Sequence, residues 1–225
     1  MNAHHPVSIT ALRTLPVFAT LHEEALASIA RIARMCRIDR RACVIGAGDR
    51  IDSVYLVLSG QLKVQLSNPN GREVILYMLK RGELFGELEA IDAQPSAATV
   101  TAVEPCDLVV IEQDGFMHCM AAHPDVSRYV MSRLVKRLRL ADSKIGSLAR
   151  QDVHDRVESL LHDMAESQQG RRVIARHISR SDIARMVGAS REMVSRVMKD
   201  FEDSGFIETQ EGGAIVINER RGMPR

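Results

Sequence analysis

With 225 residues the chain is long enough to bury two separate cores, and its 45% hydrophobic and 26% charged residues are those of an ordinary globular protein. No apolar run reaches the roughly 18 residues that a transmembrane helix needs, and residues 1–14 lack the apolar centre of a signal peptide, so a cytoplasmic protein with no membrane contact is expected. A formal net charge of +1 gives no global indication of a nucleic-acid partner, so any such partner has to be read from how the charge is distributed.

In chain order, the first predicted element is a helix from Glu23 to Met35, whose Leu26, Ile29, Ile32 and Ala33 recur at helical spacing. Its expected place is across one end of the segment that follows. From Val44 to Ile111, short β-branched or alternating runs (Val54–Leu58, Gln61–Leu66, Val74–Met78) are separated by turn signals at Gly46, Gly48, Ser59–Gly60, Asn68–Gly71 and Arg81–Gly82. That spacing predicts a small antiparallel barrel or jelly roll. The four cysteines, Cys36, Cys43, Cys106 and Cys119, are scattered with no CxxC pair, which favours buried reduced thiols over a zinc or redox site.

From Val126 to Ala149 the pattern changes to one long helix. Leu134, Leu138, Ala141, Ile145 and Leu148 alternate in steps of four and three, the a/d seam of a coiled coil, which predicts a homodimer; a single amphipathic helix lying on its own domain is the alternative. A third segment, Asp152 to Ile217, ends in two apolar runs, Phe206–Thr209 and Ala214–Ile217, around Glu211-Gly212-Gly213. The expected division is therefore 1–125, 126–150 and 151–225, with a polar tail from Arg220 to Arg225 expected to fray.

The most informative stretch runs from Ile178 to Lys199. Ser179 is placed to cap a helix, with Asp182 three residues on, and Ile183, Ala184 and Val187 form an inner face. Gly188 supplies a turn, and Ser190 caps a second helix that points Val194, Val197, Met198 and Phe201 inward. Arg191, Glu192, Ser195, Arg196 and Lys199 are left outward. Two short helices at a tight turn, followed by a two-stranded wing, form a winged helix-turn-helix, the device that lays a helix in the major groove of double-stranded DNA. Between Arg171 and Lys199 eight Lys and Arg face only Asp182 and Glu192, a local balance of +6 that attracts phosphate. Arginine can donate two hydrogen bonds to guanine, and glutamate can accept from the cytosine amino group. An i,i+4 surface ion pair between Glu192 and Arg196 is the competing assignment. Arg180, at the start of the first helix, is expected to hold phosphate, with Lys199 a weaker candidate.

The run Ser190-Arg191-Glu192-Met193-Val194-Ser195-Arg196 closely resembles the recognition helix of the cyclic-AMP receptor / fumarate-nitrate regulator (Crp-Fnr) superfamily. Gly82-Glu83-Leu84-Phe85-Gly86-Glu87-Leu88 resembles the start of its cyclic-nucleotide cassette. Lys144–Ala149 with Asp152-Val153 resembles its dimerisation helix and hinge, and the likeness runs in order from about Leu15 to Ile217. It implies an α+β chain with an N-terminal cyclic-nucleotide-binding-like β-jelly-roll, a long dimerisation helix and the winged helix-turn-helix. It also implies that Arg191, Glu192 and Arg196 read a TGTGA-like half-site of a palindrome. The partners it implies are DNA, a second copy of the chain and RNA polymerase.

The sensor departs from the family pattern. By the resemblance, Gly86 and Glu87 contact the ribose side of a cyclic nucleotide, with Leu88 beside them. The Arg-Ser pair that takes the phosphate charge falls here on Ser96 and Ala97, and the adenine-contacting Thr-Ser pair falls on Ala141 and Asp142. Losing a charge-assisted phosphate contact costs about 2–4 kcal/mol, roughly 30- to 1000-fold in affinity. Cyclic AMP is therefore not the expected effector. A carboxylate suits the donors of guanine, so the leading expectation is cyclic di-GMP, with Asp142 and Arg139, Arg72 or Arg172 as candidate partners; an exposed Asp142 with no ligand role is the alternative. A cyclic-AMP-responsive or ligand-independent regulator, and a nucleotide-binding module acting on a protein partner, are the other functions kept.

No covalent cofactor is expected. No cysteine precedes Cys36 to hold an oxygen-sensing cluster, haem would have to draw on His4, His5 and Pro6, and the remaining histidines show no metal-like spacing. No nucleophile–base pair or phosphate loop points to an enzyme.

Overall fold

The computed structural model describes residues 5–67, 73–168, 170–175, 178–210 and 212–218. In chain order the elements are β1 (His5–Pro6), α1 (Ile9–Arg13), α2 (Glu23–Ile32), β2 (Ala33–Ile38), β3 (Cys43–Ile45), β4 (Ser53–Ser59), β5 (Leu62–Ser67), β6 (Glu73–Leu79), β7 (Leu84–Phe85), α3 (Glu87–Asp92), β8 (Thr99–Ala102) and β9 (Cys106–Glu112). They continue with α4 (Gln113–Ala122), α5 (Pro124–Arg150), α6 (Val153–Met164), β10 (Glu166–Gln168), β11 (Arg171–Ile174), α7 (Arg180–Val187), α8 (Arg191–Asp203), β12 (Ile207–Thr209) and β13 (Ile215–Ile217). The chain divides into two compact units, Met1–Arg139 and Leu140–Arg225, so the division falls within α5 rather than at one of its ends.

The first unit is the expected jelly roll. Two antiparallel sheets, ordered β1-β2-β9-β4-β7 and β3-β8-β5-β6, face each other across a core that includes Val57, Leu62, Val64, Phe85 and Leu108. A second cluster lies where α1, α2, α4 and the start of α5 close the barrel, with Leu26, Ile29, Phe116, Val126 and Val130 buried. The three runs predicted as strands are strands. The predicted helix from Glu23 stops at Ile32, however, because Ala33 turns extended and β2 pairs along its length with β9, Ala33 opposite Ile111 and Ile38 opposite Cys106. Six ladder partners outweigh the helical spacing that carried the prediction through Ala33 to Met35.

The second unit is a winged helix. Val157 and Leu161 of α6, Ile183 and Val187 of α7, and Val194, Met198 and Phe201 of α8 form one core with the sheet β10-β11-β13-β12. Phe201 meets Phe206 edge-to-face at 4.8 Å, and burying a ring of that size contributes about 1.5–3 kcal/mol. The sheet has four strands rather than the expected pair. β10 and β11 form a polar hairpin whose Ile174 joins the core, and β11 extends the sheet by pairing Arg172 with Ile217. No helix among the described residues is long and apolar enough to cross a membrane.

Candidate nucleic-acid interface and effector turn

The helix expected to read DNA is built from local signals. The Ser179 hydroxyl accepts from the Asp182 N–H at 3.1 Å and donates to the Asp182 carboxylate at 2.7 Å, which starts α7. Gly188 ends it at φ 68°, and the Ser190 hydroxyl accepts from the Met193 N–H at 3.2 Å to start α8. Val194, Met198 and Phe201 are buried, which fixes the rotation of α8. Arg191, Glu192, Ser195, Arg196 and Lys199 are consequently exposed, as the sequence pattern predicts, and Met193 shares the face at 44% exposure.

Among the described residues no protein carboxylate pairs with Arg191, Arg196 or Lys199. Glu192 turns back toward the helix start: its own backbone amide and the Ser190 hydroxyl, with Arg191 a lesser influence, hold its carboxyl below the ordinary value of 4.5. It stays ionised and able to accept. Arg180 has a partner, the Glu202 carboxylate at 3.0 Å, which also accepts from the Thr209 hydroxyl at 2.8 Å. That pair links the start of α7, the end of α8 and the wing, and a cleft of about 280 Å³ beside it is lined by Ser179, Arg180, Arg191 and Thr209.

In the first unit the Gly86 turn is tightly specified. Gly86 has φ 83°, and a Cβ there would lie 2.6 Å from the Ser53 carbonyl oxygen. Glu87, the first residue of α3, is 1% exposed and forms an ion pair with Arg137 of α5. The same guanidinium donates to the Leu84 carbonyl and lies 5.0 Å from the centre of the Tyr77 ring. Burial pushes the Glu87 carboxyl up, and Arg137 opposes that shift. The second Glu87 oxygen, Oε2, has no hydrogen-bond partner among the described residues.

Arg137 belongs to a row. Tyr129 donates to the Gly82 carbonyl at 3.3 Å, and Arg133 pairs with Glu83, whose other oxygen accepts from the Lys80 N–H at 2.9 Å. Tyr129, Arg133 and Arg137 are four residues apart and therefore share one face of α5. The sequence reading missed this row; the only local trace is the i, i+4, i+8 spacing, and its partners lie about fifty residues upstream.

The remaining effector candidates are dispersed. Ser96 is buried at 5%, its hydroxyl donates to the Ala98 carbonyl at 3.1 Å, and its amide and carbonyl bond Asp49 and Gly48. Ala97, Leu88, Arg139 and Asp142 are exposed. Arg172 is committed elsewhere, contrary to its proposed ligand role: its guanidinium donates to the His162 and Ala165 carbonyls, the unsatisfied end of α6. Arg72 lies outside the described residues. Along the predicted seam, Leu134 is half-buried against the barrel core, whereas Leu138, Ile145 and Leu148 are 63%, 66% and 55% exposed and Ala141 is exposed. Met131, at 57%, extends the stripe by one step.

Comparison with known proteins agrees with both halves. Residues 36–123 match the cyclic nucleotide-binding domain, and residues 155–224 match the Crp-like helix-turn-helix domain. The chain is 28% identical over 213 residues to the CRP-like cAMP-activated global transcriptional regulator of Mycobacterium tuberculosis, covering 93% of this chain and 95% of that protein. It is 28% identical over 215 residues to the cAMP-activated global transcriptional regulator Vfr of Pseudomonas aeruginosa, covering 90% and 99%. Among solved structures, the c-di-GMP responsive global regulator CLP of Xanthomonas campestris superposes with a TM-score of 0.74 at 26% identity, over 87% of this chain and 99% of that one.

Proposed function

Given that the chain belongs to the Crp/Fnr family of DNA-binding transcription regulators, we propose that it works as a homodimer reading a palindrome of TGTGA-like half-sites, under an effector other than cyclic AMP. The observation that carries the DNA reading is the outward face of α8, where Arg191, Glu192 and Arg196 stand exposed over a buried apolar back. Arg191 and Arg196 would donate to guanine, Glu192 would accept from cytosine, Ser190 and Ser195 would make shorter polar contacts, and Arg180 and Lys199 would hold phosphate. The stripe Leu134, Leu138, Ala141, Ile145 and Leu148 would pair two copies, and such a dimer would meet the half-sites of a palindrome on successive turns of the duplex. RNA polymerase is the partner such a dimer would meet beside a promoter.

For the effector, the supporting observation is what occupies the phosphate position: a buried serine whose hydroxyl is already bonded, followed by an alanine. The cation paired with Glu87 at this turn is Arg137, which lies over the Tyr77 ring. A guanidinium over an aromatic face suits a flat base or a phosphate, and an exposed Asp142 suits the N1–H and amino group of guanine. Cyclic di-GMP remains the leading ligand, a reading helped by the c-di-GMP responsive relative above. Leu88, Ala97 and Arg139 stay in the proposed site, and Arg172 leaves it.

The test is DNA affinity on a TGTGA palindrome at fixed salt, with and without cyclic AMP, cyclic GMP and cyclic di-GMP, together with calorimetry of Asp142→Ala. Cyclic di-GMP binding at micromolar concentration or tighter, weakened in Asp142→Ala, is expected. A response to cyclic AMP alone, or to none of them, would overturn the effector and leave the regulator. No preference for the palindrome would overturn the DNA reading and favour a module that acts on a protein partner.

A further inference from the structure

We propose that the first turns of α6 form a divalent transition-metal site made by His154, Asp155 and Glu158. One ring nitrogen of His154 and one carboxylate oxygen from each of Asp155 and Glu158 all lie within 4.8 Å of one another. The reason is helical: 154 and 158 are one turn apart and 155 and 158 are three apart, so all three side chains gather on one face. Contrary to the expectation that the histidines show no metal-like spacing, His154 meets two carboxylates rather than a second imidazole.

None of the three ligand groups is engaged by a hydrogen bond or ion pair among the described residues. The cap that Asp152 makes at the start of α6 uses the backbone N–H of Asp155 and leaves its carboxylate available. The Asp155 and Glu158 carboxylates sit side by side and repel unless a cation lies between them. His154 is half-buried, and its ring is set edge-on against Phe201 at a centroid distance of 4.6 Å. That contact restricts the ring plane.

One imidazole and two carboxylates with open positions for water suit a first-row divalent ion, Zn²⁺ ahead of Mn²⁺. No cysteine joins the three ligand groups, which removes the preference for Cu(I) or an iron–sulfur cluster, and imidazole disfavours Mg²⁺ and Ca²⁺. An ion held there would tie the first two turns of α6 together and lock His154 against Phe201, the residue that α8 buries behind its reading face.

The experiment uses the full chain, freed of metal by dialysis against a chelator and titrated with ZnCl₂ by calorimetry, then with Co²⁺ read by visible absorption. One Zn²⁺ per chain is expected, with His154→Gln and Glu158→Gln each weakening it about tenfold or more, and a Co²⁺ spectrum without intense thiolate bands. Because His154 packs on Phe201, its replacement can disturb the core; Glu158→Gln and Asp155→Asn lie outside the core and decide the question alone. Zn²⁺ affinity within about twofold of wild type in Glu158→Gln and Asp155→Asn, thiolate bands with Co²⁺, or no binding at about 100 µM Zn²⁺, well above the range of ordinary protein zinc sites, would each overturn the site.

Discussion

Arg137 of α5 and Glu87 at the start of α3, fifty residues apart in sequence, form an ion pair in which the carboxylate side chain is 1% exposed and the arginine 14%. Two charges removed from water to this degree depend on each other. Arg137→Ala leaves a buried carboxylate unpaired and should cost the barrel about 3–5 kcal/mol. The pH dependence of that loss follows from Glu87, whose carboxyl is raised by burial. A raised carboxyl contributes stability that is fully present below its ordinary value of 4.5 and is lost as the pH rises through its folded value. Without Arg137 the folded value rises further, so the deficit of Arg137→Ala should be largest at neutral pH and shrink in acid, where Glu87 is neutral in both states. Urea unfolding of both proteins across that range measures it.

Gly86→Ala should fail for a backbone reason. An L-residue at φ 83° costs about 1–2 kcal/mol, and its Cβ would press on the Ser53 carbonyl, which cannot swing away as a side chain can. A drop in melting temperature of more than about 5 °C is expected by calorimetry.

At the proposed DNA face the two kinds of contact would separate by salt. Arg196→Ala should lose about 1–3 kcal/mol on the specific site and relax discrimination at one base pair. Lys199→Ala should weaken all sequences alike and lower the slope of log affinity against log salt by about 1. Anisotropy titrations on matched and single-mismatch duplexes distinguish them.

Leu138→Asp with Ile145→Asp places charge in the exposed stripe of α5 and should yield monomers in sedimentation, with the winged helix still folded. Affinity for a palindrome should fall by about 100-fold or more, while affinity for an isolated half-site changes little.

The thiols differ in access. Burial pushes Cys119 from its ordinary value of 9.0 up to about 11, so its neutral form adds stability that is complete below pH 9.0 and is lost as the pH rises toward about 11. Cys43 is exposed. An alkylating reagent at neutral pH should label Cys43 and leave Cys119 untouched until the protein unfolds.

Legibility followed sequence distance. The caps Ser179 and Ser190, the turn at Gly188 and the inward positions of α8 depend on neighbours three or four residues away, so periodicity and capping residues place them correctly. The barrel strands with turn residues at both ends were equally readable. Partners far along the chain were not. The helical spacing of Leu26, Ile29 and Ile32 gives no warning that Ala33 pairs with Ile111, and Arg172 looks like any basic residue until the carbonyls of His162 and Ala165 meet it. The row Tyr129, Arg133 and Arg137 has a readable spacing but an unreadable target, because only folding brings Gly82, Glu83 and Glu87 beneath it.

The bare leucines and isoleucine of α5 bear on gene dosage. A lone chain keeps Leu138, Ile145 and Leu148 in water, so if that stripe pairs two copies, as proposed, pairing would grow with the square of chain number until the dimer saturates. On the reading proposed above, the occupied fraction of a palindrome would climb more steeply than the copy number while chains are scarce. Expression level would then act as an input alongside any small molecule, and a modest change in synthesis or proteolysis would be enough to switch a target promoter.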